Sequence, residues 1–375
     1  MSVFVETFYA LTWQQAVMIL VGCTLIYLAV AKDYEPALLL PMGFGTLMVN
    51  VPFTAALDQI GPAGELIHGA VQLLYSMGIA NELFPLLIFI GIGAMTDFTP
   101  LLRRPRMALF GLTAQAGIFL TLVLALWLGF PLNQAGSIAV IGAADGPTSI
   151  FVAGRFAREI LGPITVAAYS YMALVPVIQP PVMKLLTTKA ERRIRMAPVM
   201  ATEVPRWVRL AFPIAVTLIV AFIAPASTTL MGFLMFGNLL RESGVVDRLA
   251  KGAQEELTNI VTLLLGLAIS FTMQGNDFLT PMTLSILALG LVAFILDTAV
   301  GVLSAKIFNL FWKEKVNPLV GAAGISAFPM ASRVAQRVAT AEEPGNFILM
   351  YSSAANVAGQ IGSVIAGGVL LALLG

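Results

Sequence analysis

The chain has 375 residues, 58% of them hydrophobic and 11% charged, with a mean hydropathy of +0.90 and a formal net charge of +1. Soluble domains carry about 25% charged residues, so composition excludes an ordinary soluble enzyme, and the near-neutral charge gives no reason to expect nucleic acid as a partner. Cys23 stands alone in an apolar stretch, which rules out an intrachain disulfide or a cysteine zinc site.

The predicted elements are apolar helices. Trp13 to Ala31 is the first, and no Lys or Arg precedes Lys32, so the basic head of a cleaved signal peptide is missing and this span is expected to be retained. Met107 to Phe130, Leu210 to Ala226 and Leu284 to Leu303 are likewise long enough to cross a bilayer. The short alternating segments of a β-barrel do not occur. The stretch ELIHGAVQLLYSMG reads as amphipathic, with His68 on its wet face. An all-α polytopic membrane protein follows, in contact with lipid.

Basic residues cluster at Arg103, Arg104 and Arg106 and again from Lys184 to Arg209, which places both segments in the cytoplasm. The second cluster divides the chain into a first transmembrane unit, 1–183, and a second, 210–375, with 184–209 as the loop between them. The two halves repeat. DFTP at Asp97 returns as DFLTP at Asp277, an offset of 180; IGAADGP at Ile141 returns as VGAAGIS at Val320, an offset of 179; and Gln115 falls near Asp297, an offset of 182. Flanking charge is reversed between the copies: Arg103 to Arg106 follow DFTP with no counterpart after DFLTP, while Lys313 and Lys315 precede only the second glycine motif. Opposite flanks imply opposite orientation, which is an inverted-topology repeat with a broken re-entrant hairpin in each half, around 137–156 and around 317–334. Lys313 is then cytoplasmic, with Gln134 and Gly375 outside. Arg155 and Arg158 run against the charge rule by falling on the outer side.

In GAADGPTS, Gly142, Gly146 and Pro147 interrupt a helix and free carbonyls, Asp145 adds a carboxylate, and Thr148 and Ser149 add hydroxyls. Oxygen donors of this kind suit a small hard cation, and an intramembrane carboxylate is a functional candidate by default. Capping of the following half-helix is the structural alternative and is compatible with a cation site. In NPLVGAAGISAFPMASR, Asn317 and Ser326 are oxygen donors, Gly321 and Gly324 permit close backbone approach, and Arg333 is either an interfacial anchor or a fixed cation for an anionic group. Asp97 and Asp277 sit at segment ends as caps; Asp297, between Ile295 and Val300, has no such explanation. Tyr169 and Tyr171 read as packing or interfacial residues. P-loop, HExxH and dinucleotide fingerprints are absent.

These motifs, together with PMGFGTLMVNVP, SYMALVPVIQPPVM, LMFGNLLRESGVVDRL, LDTAVG and NVAGQIGS, resemble the β subunit of the sodium-ion-translocating, biotin-dependent decarboxylases of oxaloacetate, methylmalonyl-CoA and glutaconyl-CoA. The resemblance covers nearly the whole chain. It implies an enzyme of the cell's inner membrane that decarboxylates carboxybiotin brought by a partner subunit, consumes a proton and exports sodium. By the same resemblance Asp145 is the sodium-binding aspartate and Tyr171 the functional tyrosine. Asn317, Gly321 and Ser326 form a second sodium-linked cluster, and Arg333 meets carboxybiotin. Implied partners are a biotin-carrying carboxyltransferase subunit and a small membrane subunit, with a homo-oligomer within the complex. Two departures stand out: Ala143 replaces a glycine, and YSSAAN replaces the common HAMGPN, leaving Asn356 as a possible ligand. The competing reading is a stand-alone sodium-coupled carrier or sodium/proton antiporter.

Overall fold

The computed structural model describes residues 2–196 and 203–374; the middle of the 184–209 loop and Gly375 lie outside the described residues. Helices dominate. Ser2–Tyr9 (α1) leads to Trp13–Lys32 (α2) and Pro36–Val49 (α3), which run antiparallel. Thr12 and Gln15 close a capping box at the start of α2, which fixes where that apolar run becomes helical. The segment around His68 is not a continuous helix: Gln59–Ile60 (β1) and Leu66–Ile67 (β2) form a small hairpin, and only Ala70–Gly78 (α4) is helical. Asp58 causes the difference. It takes hydrogen bonds from the Gly69 amide and the Gln72 side chain and faces His68, so the chain is pulled into a turn before α4.

Leu83–Met95 (α5) meets α4 at a 64° bend, and Thr99–Arg103 (α6) carries the DFTP motif, where Asp97 accepts the Thr99 amide. Ala108–Ala114 (α7) and Ala116–Trp127 (α8) form one apolar span interrupted at Gln115. Leu132–Ala139 (α9) and Gly146–Phe156 (α10) follow, then Leu161–Ala173 (α11) and Val175–Leu186 (α12), bent by 69° beside Pro176. Lys189–Arg192 (α13) begins the loop. The second half consists of Arg206–Ile223 (α14), Thr228–Ser243 (α15), Asp247–Gly252 (α16), Thr258–Ile269 (α17), Gly275–Phe278 (α18), Pro281–Phe311 (α19), Leu319–Ala322 (α20), Met330–Glu342 (α21) and Leu349–Leu374 (α22). Among the described residues six helices are long and apolar enough to cross a membrane, or eight if each bent pair is one span.

The unbroken α19 sets the scale of the molecule: its 31 residues extend about 46 Å at 1.5 Å per residue. At its N-terminal end, Met282 and Thr283 line a cavity with Arg158, Glu159 and Ile160. Its C-terminal end holds the loop between the halves, where Lys306 donates to the Leu186 carbonyl and pairs with Glu191 at 3.0 Å. Arg192, Lys306 and Lys315 belong to this second end, while Arg155 and Arg158 are exceptions near the first. The two exceptions have local partners: Arg155 faces Glu82 at 3.5 Å and stacks over Phe151, and Arg158 bonds the Gly154 carbonyl.

The segments α9–α10 and α20–α21 are both hairpins whose legs return to their starting end. Asn133 donates to the Phe156 carbonyl at 2.9 Å and Gln134 to Glu159 at 3.0 Å, which ties the first hairpin's legs together near the α19 N-terminus. Asn317 and Asn346 both donate to the carbonyls of Arg192 and Ile194, so the second hairpin opens and closes at the loop end. The two hairpins enter from opposite ends, and their tips touch where the Ser326 amide donates to the Ala143 carbonyl at 3.0 Å.

Candidate functional site: the crossing of two hairpin tips

The first tip is built by three short-range effects. After α9 the chain tightens into a 3-10 turn over Val140–Ala143, Ala144 takes left-handed angles (φ 52°), and Asp145 is extended. Pro147 is tolerated because the first helical turn needs no amide donor there. Asp145 is the N-cap of α10, accepting the Thr148 amide at 3.3 Å and the Thr148 hydroxyl at 2.7 Å. Gly142 and Gly146 contribute space and not unusual backbone. A Cβ on Gly146 would lie 2.3 Å from the Tyr169 ring, and one on Gly142 would lie 3.0 Å from the Ala293 backbone of α19. Tyr169, buried beside the aspartate with its hydroxyl unpaired among the described residues, is thus packed directly under the break.

A third donor to Asp145 comes from far along the chain. Ser363 of α22 places its hydroxyl 2.8 Å from Oδ2. Asn356, Gln360 and Ser363 share one face of α22, and that face lines the tips. Asn356 donates to the Ile325 carbonyl at 2.6 Å, and Ser326 donates to Gly359 at 2.9 Å. Gln115, at the break between α7 and α8, reaches the Gly324 carbonyl at 3.2 Å. Several buried oxygens have no hydrogen-bond partner among the described residues: Gln115 Oε1, Asn356 Oδ1 and Gln360 Oε1. Asp145 has no Lys, Arg or His partner within ion-pair distance there. The arrangement is a buried carboxylate oriented by three donors, with unpaired buried side-chain oxygens on α22 and at the α7–α8 break, both of which touch the tips.

The expected site residues separate into two groups. Asp145 and Ser326 meet at the tips. Tyr171 does not reach Asp145 by a hydrogen bond; it is half-buried, its ring meets Gly290 of α19 beside Ile141 of the first tip, and its hydroxyl is 2.5 Å from the Leu287 carbonyl. Gly321 serves a helix crossing: it packs on Gly301 so tightly that a Cβ would sit 2.0 Å from the Gly301 oxygen. Asn317 is at the hairpin base, where its amide holds the loop and its oxygen accepts the Leu319 amide. Arg333 is exposed on α21 and makes no ion pair or side-chain hydrogen bond with a described residue. Of the carbonyls freed at the first tip, Ala143 is taken by Ser326 and Ile141 by Ala144. The Ser363 contact was missed from sequence; the NxxxQxxS spacing on a C-terminal apolar helix is the signal that could have found it.

Opposed broken hairpins meeting inside a helical membrane protein are an arrangement that membrane transporters use to build sites at discontinuous helices. The model of one protein family, described as the Na+-transporting oxaloacetate decarboxylase beta subunit, matches residues 14–374. The chain is 49% identical to the glutaconyl-CoA decarboxylase subunit beta of Acidaminococcus fermentans, over 98% of this chain and 95% of that one. It is 48% identical to the methylmalonyl-CoA decarboxylase subunit beta of Veillonella parvula, again over 98% and 95%. Identity to the oxaloacetate decarboxylase beta chain 2 of Salmonella typhi is 45%, over 95% and 94%. This chain belongs to the family of Na+-transporting decarboxylase β subunits, integral membrane components of multi-subunit decarboxylases.

Proposed function

We propose that the hairpin crossing is where this subunit holds sodium, and that decarboxylation of carboxybiotin at the loop end drives the ion toward the other end. The observation that carries the reading is Asp145: a buried carboxylate with three convergent donors and no protein cation among the described residues. Ser326 couples the second hairpin to it through the Ala143 carbonyl. Gly321 and Asn317 act at one remove, setting the pitch of that hairpin against α19 and its anchorage to the loop, while Tyr171 braces α11 on α19. Arg333 fits an incoming carboxylate, since its planar guanidinium is exposed and unpaired at the end where a soluble partner can arrive. In the reaction the N–carboxylate bond of carboxybiotin breaks, carbon dioxide leaves, and the ureido nitrogen keeps the electron pair and takes up a proton.

The architecture is read as two inverted copies, 1–183 and 210–375, joined by the loop 184–209. The matching order of elements supports this, with α6 and α18 each preceding a long span and a broken hairpin, and so do the opposite entry ends of the hairpins. Residues 184–209 and Lys313 are then cytoplasmic. A biotin-carrying carboxyltransferase subunit and a small membrane subunit complete the complex, with more than one copy of this chain in it. The relatives are named for three different substrates, so substrate choice is assigned to the carboxyltransferase. A stand-alone carrier would share the tip geometry but would move sodium without a biotinylated partner.

Exporting one charge against 100 mV costs about 2.3 kcal/mol, so the tip must release sodium against a gradient when the hairpins move. Asp145→Asn keeps size and polarity while removing the charge. In vesicles reconstituted with the assembled complex, carboxybiotin decay and sodium uptake measured together should both fail in this variant, with the complex still assembled. Sodium-stimulated decarboxylation at the wild-type rate would remove Asp145 as the ion's ligand.

A further inference from the structure

Asp297 is the one described acid that is fully buried with no partner on either carboxylate oxygen. It lies on the face of α19 that touches both hairpins. One turn earlier, Ala293 packs on Gly142 of the first hairpin; one turn later, Gly301 packs on Gly321 of the second. Its Oδ1 occupies the space a side chain would fill at Gly117 of α8, only 1.8 Å from where that Cβ would be. The neighbouring Thr298 hydroxyl is also fully buried and unpaired among the described residues.

No fixed positive charge is available to neutralise this carboxylate. The elements packed on α19, namely α7, α8, α9, the 3-10 turn at 140–143 and α20, contain no Lys, Arg or His; α11 contributes only Tyr169 and Tyr171 as titratable groups, and the one cation of α12, Lys184, is exposed in its last turn at the loop end. The nearest acid motif, Asp145, follows Gly142 by three residues and has its own donors. An unpaired ionised carboxylate in an apolar interior is prohibitively unfavourable, so its countercharge has to be mobile. We propose that Asp297 is a second monovalent-cation site, holding sodium or a proton, placed where movement of either hairpin changes its surroundings. The proposal builds on reading the tip crossing as the transport site but does not require Asp145 to be the first ligand.

The test uses the assembled complex with Asp297→Asn, Asp145→Asn and wild type in parallel. Two quantities are read without turnover: radioactive sodium bound per chain at equilibrium, and sodium affinity as a function of pH. If Asp297 holds sodium, Asp297→Asn loses one bound ion per chain. If it holds the proton, bound sodium stays at the wild-type level while the affinity loses its dependence on pH. Wild-type values in both measurements overturn the proposal. Retained binding in Asp145→Asn together with loss in Asp297→Asn would remove the earlier assignment and leave this one standing. Should Asp297→Asn not assemble, infrared difference spectra of the wild type, sodium-loaded minus sodium-free across pH, count the carboxyl groups that change state. Recorded in parallel on Asp145→Asn, a sodium-dependent carboxyl signal that persists without Asp145 supports the proposal, and the loss of every such signal in that variant overturns it.

Discussion

Asp145 works through what surrounds it, and Ser363 is the most informative neighbour because its hydrogen bond brings a second element, α22, to the carboxylate. A hydrogen bond to a charged group contributes about 1.5–3 kcal/mol, and each 1.4 kcal/mol is tenfold in affinity. Ser363→Ala should therefore raise the sodium concentration for half-maximal uptake by about tenfold or more, while Ser352→Ala, on the same helix but bonded to Ser332 and Leu349, should leave it unchanged. Equal sodium dependence in Ser363→Ala and wild type would show that α22 merely packs against the tip. At this scale the sequence was legible wherever the chemistry is local. The DGPT run contains a cap, a proline at the first turn and a hydroxyl within four residues, so a helix break with an oriented carboxylate could be read directly. Ser363 stands 218 residues away from its partner, and no spacing rule connects them. Tyr169 and Tyr171 are two residues apart on α11 and so point in different directions; only packing reveals that Tyr169 is the one beneath Gly146.

Among the elements, the second hairpin is the one held by charge. Arg192, though only 6% exposed, donates to the Thr187 carbonyl at 2.5 Å and to Glu342 at 3.0 and 2.8 Å, while its own carbonyl is gripped by Asn317 and Asn346. The loop between the halves is thereby fastened to both legs of the hairpin, with Arg195–Glu343 as an outer pair. Hydrogen bonding from Arg192 holds the Glu342 carboxyl below its ordinary value, helped by the nearby charges of Arg192, Lys189 and Arg193. A carboxyl lowered in the folded state contributes stability that is complete above the ordinary glutamate pKa of about 4.3 and is lost as pH falls through the lower folded value. Arg192→Ala should therefore lower the unfolding temperature of the complex at neutral pH, with the gap to wild type narrowing below about pH 4. A gap that stays constant through the acid range would mean that the Arg192 side chain's bond to the Thr187 carbonyl, and not the ion pair, holds the loop. The basic run of this loop was plain in the sequence, but its role was not. Positive charge next to a membrane span is expected on topology grounds alone, which hides a buried arginine among the anchoring ones.

For the whole molecule, the question is which end faces the cytoplasm. Composition made the membrane class evident, and the offsets of 179 to 182 are what motivate the proposed division into two copies. Face assignment was harder, because lipid is as apolar as a packed interior; α14 and α22 are both predominantly apolar, yet α14 is largely exposed and α22 largely buried. The small strands before α4 were missed for a related reason, since a helical pattern in ELIHGAVQLLYSMG is overridden by the Asp58 turn. Charge remains the usable signal. Lys313, the described residues 184–196 and the second hairpin's base share the α19 C-terminal end, whereas Gln134 and the first hairpin's base share the other. If the basic end is cytoplasmic, a single cysteine at position 313 in a Cys23→Ser background should react with an impermeant maleimide only in inside-out vesicles, and one at position 134 only in right-side-out vesicles. Cys23 itself is exposed on α2, so its removal costs no buried contact. Both cysteines labelling from the same side would contradict opposed hairpins, because 134 and 313 each lie at the base of one. Labelling with the sides exchanged would instead preserve the fold and reverse the direction of sodium movement, placing the exposed Arg333 where no cytoplasmic carboxybiotin could reach it.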